Sequence, residues 1–79
     1  MSVKILLVDD EELFTHALSE RLKTRGFLVV TSNSGQDALD KIKDTSFDVI
    51  ILDMAMPGMS GLETQEHLLK SNPDLQIIF

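Results

Sequence analysis

The stretch FDVIILDMAMPGMSG, residues 47–61, decides the fold. Residues 47–52 have the length of a strand, and the last four, VIIL, are apolar without polar alternation. Such a run is typical of a central parallel strand that is covered on both faces. Asp53 follows directly, where a turn-rich loop opens, and open α/β sheets bind their ligands at this end of a strand. We therefore expect a buried strand that delivers Asp53 to the binding edge of a sheet.

A second run of strand length, residues 3–8 (VKILLV), lies near the start of the chain and ends in acidic residues. Its last three residues, LLV, are all apolar and again indicate a strand buried on both faces. We expect a helix to start near Glu11 with Asp10 as its N-cap, because an Asp side chain can accept from the free N–H groups of a first turn. Glu11 and Glu12 suit the positive end of that helix dipole.

The rest of the chain alternates between helix and strand patterns with short connections. Gly26 is expected to end the first helix, and the remaining elements are expected as helices over residues 35–43 and 61–71 and strands over residues 27–31 and 75–79. Ser34 and Ser60 should cap the second and third helices. This alternation predicts an α/β fold, with a parallel sheet and helices on its faces.

Apolar side chains at helical spacing predict which face of the first helix is buried. Those expected to pack on the sheet are Phe14, Ala17, Leu18 and Leu22. In the second helix, Ala38, Leu39 and Ile42 should point inward.

Length and composition set limits on the class of protein. A chain of 79 residues with 43% hydrophobic residues is at most one small domain with a real core. It has no cysteine, which excludes disulfides and thiolate metal sites and is compatible with the cytoplasmic location that we expect. No apolar run is long enough for a membrane span, and no signal peptide is visible. A net charge of −6 disfavours direct nucleic-acid binding by this segment.

The acids that follow the two buried strands are the main functional signal. Because parallel strands end at one edge of a sheet, Asp9, Asp10 and Asp53 should converge if the two strands are neighbours. Close carboxylates favour a hard divalent cation, and Mg²⁺ prefers oxygen ligands of this kind. The backbone carbonyl of Ala55 could add another oxygen. The simpler alternative makes Asp9 and Asp10 helix-start residues and Asp53 a turn former, but it leaves their shared edge unexplained.

At these residues the sequence resembles the receiver domain of bacterial two-component response regulators, in residues 5–11, 47–53 and 54–61. The resemblance implies a flavodoxin-like, doubly wound sheet whose complete strand order is 2-1-3-4-5. It also implies that Asp53 takes a phosphoryl group from a phosphohistidine on a sensor histidine kinase or phosphotransfer protein. Mg²⁺ would be held by Asp9, Asp10, Asp53 and the Ala55 carbonyl. An output domain or a downstream partner protein would then read the phosphorylated state.

The sequence also departs from this family. A complete receiver has five βα units, whereas residues 1–79 are expected to supply only the N-terminal part, β1-α1-β2-α2-β3-α3-β4, with two-fifths of the domain absent. The family's Ser or Thr after strand four and its Lys after strand five would lie beyond Phe79. Ala55 stands where many relatives have a polar side chain, so the lifetime of the phosphoryl group stays open.

Two other classes of function remain as alternatives. A metal-dependent phosphohydrolase would also use an Asp nucleophile, but it usually needs an acid two residues later, and Ala55 cannot act as one. We therefore expect no enzyme activity. A truncated receiver that acts only as a folding or self-association unit is the second alternative, because the open side of an incomplete sheet exposes apolar surface. We expect the 79-residue chain to form a dimer or higher oligomer that buries its LQIIF end.

Overall fold

The structure, a computed structural model, describes residues 2–53, 58 and 60–79. Its elements, in chain order, are β1 (Lys4–Val8), α1 (Glu12–Thr24), β2 (Leu28–Ser32), α2 (Gly35–Asp44), β3 (Val49–Leu52), α3 (Gly61–Ser71) and β4 (Gln76–Ile78). The four strands form one parallel sheet in the order β2-β1-β3-β4. The predicted α/β class and the first four strands of the 2-1-3-4-5 order are confirmed.

Strand β1 lies at the centre of the sheet, between β2 and β3. Leu6 stands opposite Val30 of β2 on one side and Ile50 of β3 on the other. Leu6, Leu7 and Val8 are at most 1% exposed. The uninterrupted apolar sequence of β1 therefore reflects a strand with neighbours at both edges and side chains buried on both faces, as we predicted.

The main core lies on the face of the sheet that α2 and α3 cover. Its buried members are Leu6, Val8, Ala38, Phe47, Ile50, Leu52 and Leu68, and Leu39 and Ile42 pack against them from α2. These residues come from alternate positions of β1 and β3, since side chains two apart in a strand share a face. The predicted inward face of α2 is confirmed.

The helix ends follow the predicted capping chemistry at α2 and α3. The Ser34 hydroxyl accepts a hydrogen bond from the Asp37 amide at 3.1 Å, and the Ser60 hydroxyl accepts one from the Glu63 amide at 3.2 Å. Gly26 follows the last residues of α1 with φ +93°, a backbone conformation that favours glycine. Its amide donates to the Lys23 carbonyl, which closes the helix as expected.

Helix α1 differs from the prediction in its buried face. Thr15 and Ser19 are buried, at 6% and 5% exposure, whereas Phe14 is half exposed and Ala17 is exposed. The helix makes most of its contacts with β2, at one edge of the sheet, so its small polar residues pack there. On this face of the sheet, α1 contacts β2 and β1 and leaves β3 and β4 largely uncovered. Phe14 borders that uncovered side together with Ile51 and Phe79.

The strand boundaries differ by one or two residues from those predicted, because hydrogen-bonded strand pairing does not begin at the first apolar residue of a run. Phe47 is buried in the core, yet the ladder of β3 begins only at Val49. Between them, Asp48 exchanges two 2.8 Å hydrogen bonds with the backbone of Lys4, one through its amide and one through its carboxylate. Asp48 thus fixes the register at the N-terminal edge of the sheet.

Candidate metal centre

Three carboxylates meet at the C-terminal edge of the sheet, where β1 and β3 end side by side. Val8 stands opposite Leu52, so Asp9 and Asp53 leave the sheet at the same level. The Asp53 amide donates to the Val8 carbonyl at 3.0 Å, and the Asp9 amide donates to the Ser32 carbonyl at 3.0 Å. Each of Asp9, Asp10 and Asp53 offers a carboxylate oxygen, and these oxygens lie within 4.8 Å of one another. The predicted convergence is confirmed.

The turn between β1 and α1 orients these acids. One carboxylate oxygen of Asp9 accepts a hydrogen bond from the Glu11 amide at 2.9 Å, which holds the chain in a tight turn. Glu11, not Asp10, is the N-cap residue of α1, and no side chain caps that end. The prediction that Asp10 caps the helix is therefore wrong. Because Asp9 shapes the turn through its own side chain, the Asp10 carboxylate is directed to the acidic cluster instead.

The charge arrangement at this edge favours a cation. Two carboxylates about 4.8 Å apart repel by roughly 3 kcal/mol at an effective dielectric constant of about 20. Asp9 and Asp53 are half-buried, which limits screening, and Asp10 is exposed. A divalent cation between the three oxygens would attract each carboxylate and outweigh this repulsion. Three carboxylates at a partly open edge also leave room for the waters that Mg²⁺ usually keeps. The donor set therefore fits Mg²⁺.

The fourth predicted ligand, the carbonyl of Ala55, lies outside the described residues. So do the other residues of the loop at 54, 56, 57 and 59.

An apolar cavity adjoins the acidic cluster, at a position that was not predicted from the sequence. It has a volume of about 320 Å³, and Asp9 and Asp53 line it together with Leu7, Phe14, Ile51 and Phe79. Phe14 was expected to be packed against the sheet, but it stands half exposed beside the cluster instead. Phe14 lies five residues after Asp9, in the first turn of α1. This short separation in the sequence is the feature that could have indicated its place near the site. The cavity's apolar lining lies against one side of the two half-buried acids.

In the part of the chain that the structure describes, no helix is both long and apolar enough to cross a membrane.

Comparison with known proteins identifies one protein family. The profile of the family described as "Response regulator receiver domain" matches residues 5–79. "Uncharacterized transcriptional regulatory protein YrkP" of Bacillus subtilis (strain 168) is 40% identical over 79 residues, which are 100% of this chain and 33% of that protein. The chain thus spans a third of the length of this curated relative.

Solved structures are similar over nearly the whole chain. The response regulator protein TrrA from Thermotoga maritima, in complex with Mg(2+)-BeF, superimposes with a TM-score of 0.90 and 39% identity. The match covers 95% of this chain and 65% of that one. TrrA in complex with the histidine kinase ThkA gives a TM-score of 0.89, with 39% identity and coverage of 95% and 65%.

Proposed function

This chain belongs to the response regulator receiver domain family, and we propose from that premise that Asp53 receives a phosphoryl group. Receiver domains are the phosphoacceptor signalling domains of two-component systems. The observation that carries the proposal is the convergence of Asp9, Asp10 and Asp53, with oxygens within 4.8 Å of one another. We further propose that residues 1–79 are the N-terminal part of one receiver domain, in line with their coverage of 65% of the TrrA chain.

The proposed chemistry is a single in-line phosphoryl transfer. A carboxylate oxygen of Asp53 attacks the phosphorus of a phosphohistidine on the donor protein. A P–O bond forms while the P–N bond breaks, and the electron pair of the P–N bond leaves with the imidazole nitrogen, which takes up a proton. The product is an aspartyl phosphate. Asp53 suits this role because it is half-buried at the end of a rigid central strand, which fixes its direction of attack.

Asp9 and Asp10 are proposed to hold Mg²⁺ together with Asp53 and the backbone carbonyl of Ala55. When bound, Mg²⁺ neutralises the charge on the equatorial phosphoryl oxygens. The chain's own contribution is to keep the acids in place. Asp9 is held by its hydrogen bond to the Glu11 amide and by the bond from its own amide to the Ser32 carbonyl. Asp10 supplies the most exposed of the three carboxylates.

The phosphoryl donor that we propose is a sensor histidine kinase or a phosphotransfer protein. The complex of TrrA with the histidine kinase ThkA supports this class of partner. The reader of the phosphorylated state would be an output domain in the same protein or a separate partner protein. YrkP, of which the match covers 33%, is called a transcriptional regulatory protein, so a DNA-binding output is one option for the parent protein.

We propose that this domain is a phosphoacceptor and not a phosphohydrolase. A hydrolase of the type that uses an Asp nucleophile needs a general acid close to it in sequence. Position 55 is Ala, which has no proton to give.

The experiment that tests the phosphoacceptor proposal is the intact mass of the chain after incubation with acetyl phosphate and Mg²⁺. A single phosphoryl adduct is expected for the wild type, and none for Asp53→Asn. Asp40→Asn is the matched control, since Asp40 lies on the exposed side of α2, and it should be modified like the wild type. An adduct that persists in Asp53→Asn would contradict the proposal. Circular dichroism of each variant shows whether it is folded.

Self-association is proposed as a property of this 79-residue chain and not as its function. The supporting observation is that Phe14, Ile78 and Phe79 are each about half exposed, at 50%, 55% and 51%, around the uncovered side of β3 and β4. A second copy could cover this surface.

A further inference from the structure

A polar groove lies along β2, the edge strand at the other end of the sheet from β4. It is a cavity of about 480 Å³ between α1 and α2. Glu12 and Lys23 of α1 both line it, and eleven residues of helix separate positions 12 and 23 by about 16 Å. The five residues of β2 span about the same length. The groove is therefore elongated, and it follows the edge strand.

The backbone of β2 offers free hydrogen-bonding groups to this groove. The Leu28 amide donates to the Val3 carbonyl, and the Ser32 carbonyl accepts from the Asp9 amide, so residues 28, 30 and 32 turn their peptide groups towards β1. The peptide groups of Val29 and Thr31 therefore point outward, since successive residues of a strand alternate. Within residues 2–53, 58 and 60–79, no group accepts a hydrogen bond from the Val29 or Thr31 amides. An edge of this kind is a template for another strand.

A buried hydroxyl in the wall of the groove also lacks a partner. Ser32 is 3% exposed, and its Oγ forms no hydrogen bond within the described part of the chain. It lies near the Asp37 carboxylate and helps to stabilise the charge there, but outside hydrogen-bonding geometry. Buried hydroxyls in folded proteins almost always have a partner. An incoming ligand that bonds Ser32 would supply it.

The two ends of the groove differ in charge. Glu12 and Asp37 lie where β2 ends, because both open the helices at that edge. Glu20 and Lys23, near the end of α1, lie towards the start of β2, and their opposite charges offset each other there. An extended peptide antiparallel to β2 would place its amino end near the acids and its carboxyl end near Lys23. A parallel peptide would place its carboxyl end against Glu12 and Asp37.

We propose that the groove over β2 binds an extended peptide segment of a partner protein, as an added antiparallel strand with a basic amino end. The peptide would accept from the outward amides of Val29 and Thr31 and complete the hydrogen bonding of the edge. Strand addition of this kind gains affinity from main-chain hydrogen bonds and specificity from pockets beside the strand.

Lys41 controls access to this edge. Its ammonium group donates to the outward Thr31 carbonyl and pairs with Asp37 at 2.9 Å. The side chain thus covers one of the groups that the peptide needs, and the peptide must displace it. A lysine at a strand edge is a common protection against unwanted pairing. Removing this side chain should therefore favour the peptide.

The test uses the hexapeptide Lys-Arg-Thr-Val-Thr-Val, titrated into ¹⁵N-labelled chain at millimolar concentration, with amide exchange read at each residue. Binding should protect the Val29 and Thr31 amides and shift the Ser32 resonance. Lys41→Ala should bind several-fold more tightly than the wild type, whereas Lys43→Ala should not, although it removes the same charge from the same helix. Lys43 is exposed, and its one ion pair among the described residues is with Asp40, at 4.0 Å.

Two further peptides make the test decisive. A hexapeptide with N-methylated backbone amides has the same charge and cannot form the ladder, so it should not bind. The reversed sequence should bind more weakly, since in the antiparallel orientation its basic end lies away from Glu12 and Asp37. Equal binding of the methylated peptide, or no protection of Val29 and Thr31, would overturn the proposal. Protection that depends on protein concentration without peptide would also overturn it, since it would show that a second copy occupies the edge.

Discussion

Asp9 and Asp10 are neighbours in the sequence, but they have different roles at the candidate metal centre. Asp9 is half-buried, accepts from the Glu11 amide and is tied by its own amide to β2, so it supports the turn as well as the site. Asp10 is exposed, and the N-cap of α1 is Glu11, so Asp10 has no capping role. Substitution of Asp10 should therefore change the affinity for Mg²⁺ alone, whereas substitution of Asp9 should change both that affinity and the stability of the fold.

The first prediction concerns Asp10→Asn. Loss of one carboxylate from the cluster should weaken Mg²⁺ binding by about tenfold, or ~1.4 kcal/mol, because the cation loses a charged ligand. The melting temperature without Mg²⁺ should stay the same or rise, since one repulsion is removed. Asp9→Ala should weaken Mg²⁺ binding and also lower the melting temperature. Calorimetric titration and thermal unfolding measure both effects, and an unchanged Mg²⁺ affinity in Asp10→Asn would contradict the assignment.

Asp37 gives a prediction about pH. The Lys41 ammonium, 2.9 Å away, holds the pKa of Asp37 below its ordinary value of 3.8; partial burial opposes this shift, and the Ser32 hydroxyl adds to it. A carboxyl with a lowered pKa in the folded state stabilises the fold above pH 3.8, and this contribution is lost as the pH falls through the folded-state pKa. Because both side chains are over a third exposed, the contribution should be only about 0.5 kcal/mol.

Urea unfolding of Asp37→Asn against the wild type measures this effect. The variant should be less stable at pH 7, and the difference should shrink towards zero below pH 3.8. Asp40→Asn, on the exposed side of the same helix, is the control for removal of an acid from α2. A difference that persists unchanged at the lowest pH would show that the charge of Asp37 is not its cause.

At the scale of the helices, the N-caps of α2 and α3 carry a measurable share of stability. Ser34→Ala removes the acceptor of the Asp37 amide and leaves that N–H without a side-chain partner. The expected loss is about 1 kcal/mol in the free energy of unfolding. Ser46→Ala, at an exposed position before β3, is the matched control and should change the free energy by less than about 0.5 kcal/mol. Equal losses for the two variants would contradict the capping role.

The elements differ in how far their sequence determines their structure. Ser34 and Ser60 were identified as caps because capping depends on residues only three apart. The buried face of α1 could not be predicted in the same way, since it depends on which strands lie beneath the helix. Thr15 and Ser19 are buried against β2, while the more apolar Phe14 stays half exposed. Hydrophobic spacing describes a helix, but tertiary contacts decide which side of it is covered.

The convergence of Asp9 and Asp53 was predictable because it depends on strand order and register. Once β1 and β3 are parallel neighbours, Asp9 and Asp53 must leave the sheet together, whatever the loops do. The groove over β2 has no such local signature. It arises from the spacing of α1 and α2 across an edge strand, and its key groups, such as the Thr31 carbonyl, are backbone atoms that every sequence has.

For the whole molecule, the uncovered side of β3 and β4 predicts self-association of this chain. Sedimentation should show dimers or larger species, and Phe14→Glu should weaken their association by placing a charge in the apolar cavity beside Phe79. Leu13→Glu is the control, since Leu13 is 90% exposed and does not line that cavity. A monodisperse monomer at high concentration, or equal effects of the two variants, would contradict an interface at this surface.

The central claim is that three carboxylates from two neighbouring strands form one phosphoacceptor site, with Asp53 as the acceptor. The most direct measurement is to treat the chain with acetyl phosphate and Mg²⁺, reduce it with borohydride, and map the reduced residue by mass spectrometry of its peptides. Borohydride converts an aspartyl phosphate to homoserine, so the acceptor is marked permanently. We predict homoserine at position 53 alone, and only when Mg²⁺ is present. Homoserine at position 9 or 10, or labelling of Asp53 that is the same without Mg²⁺, would contradict the account.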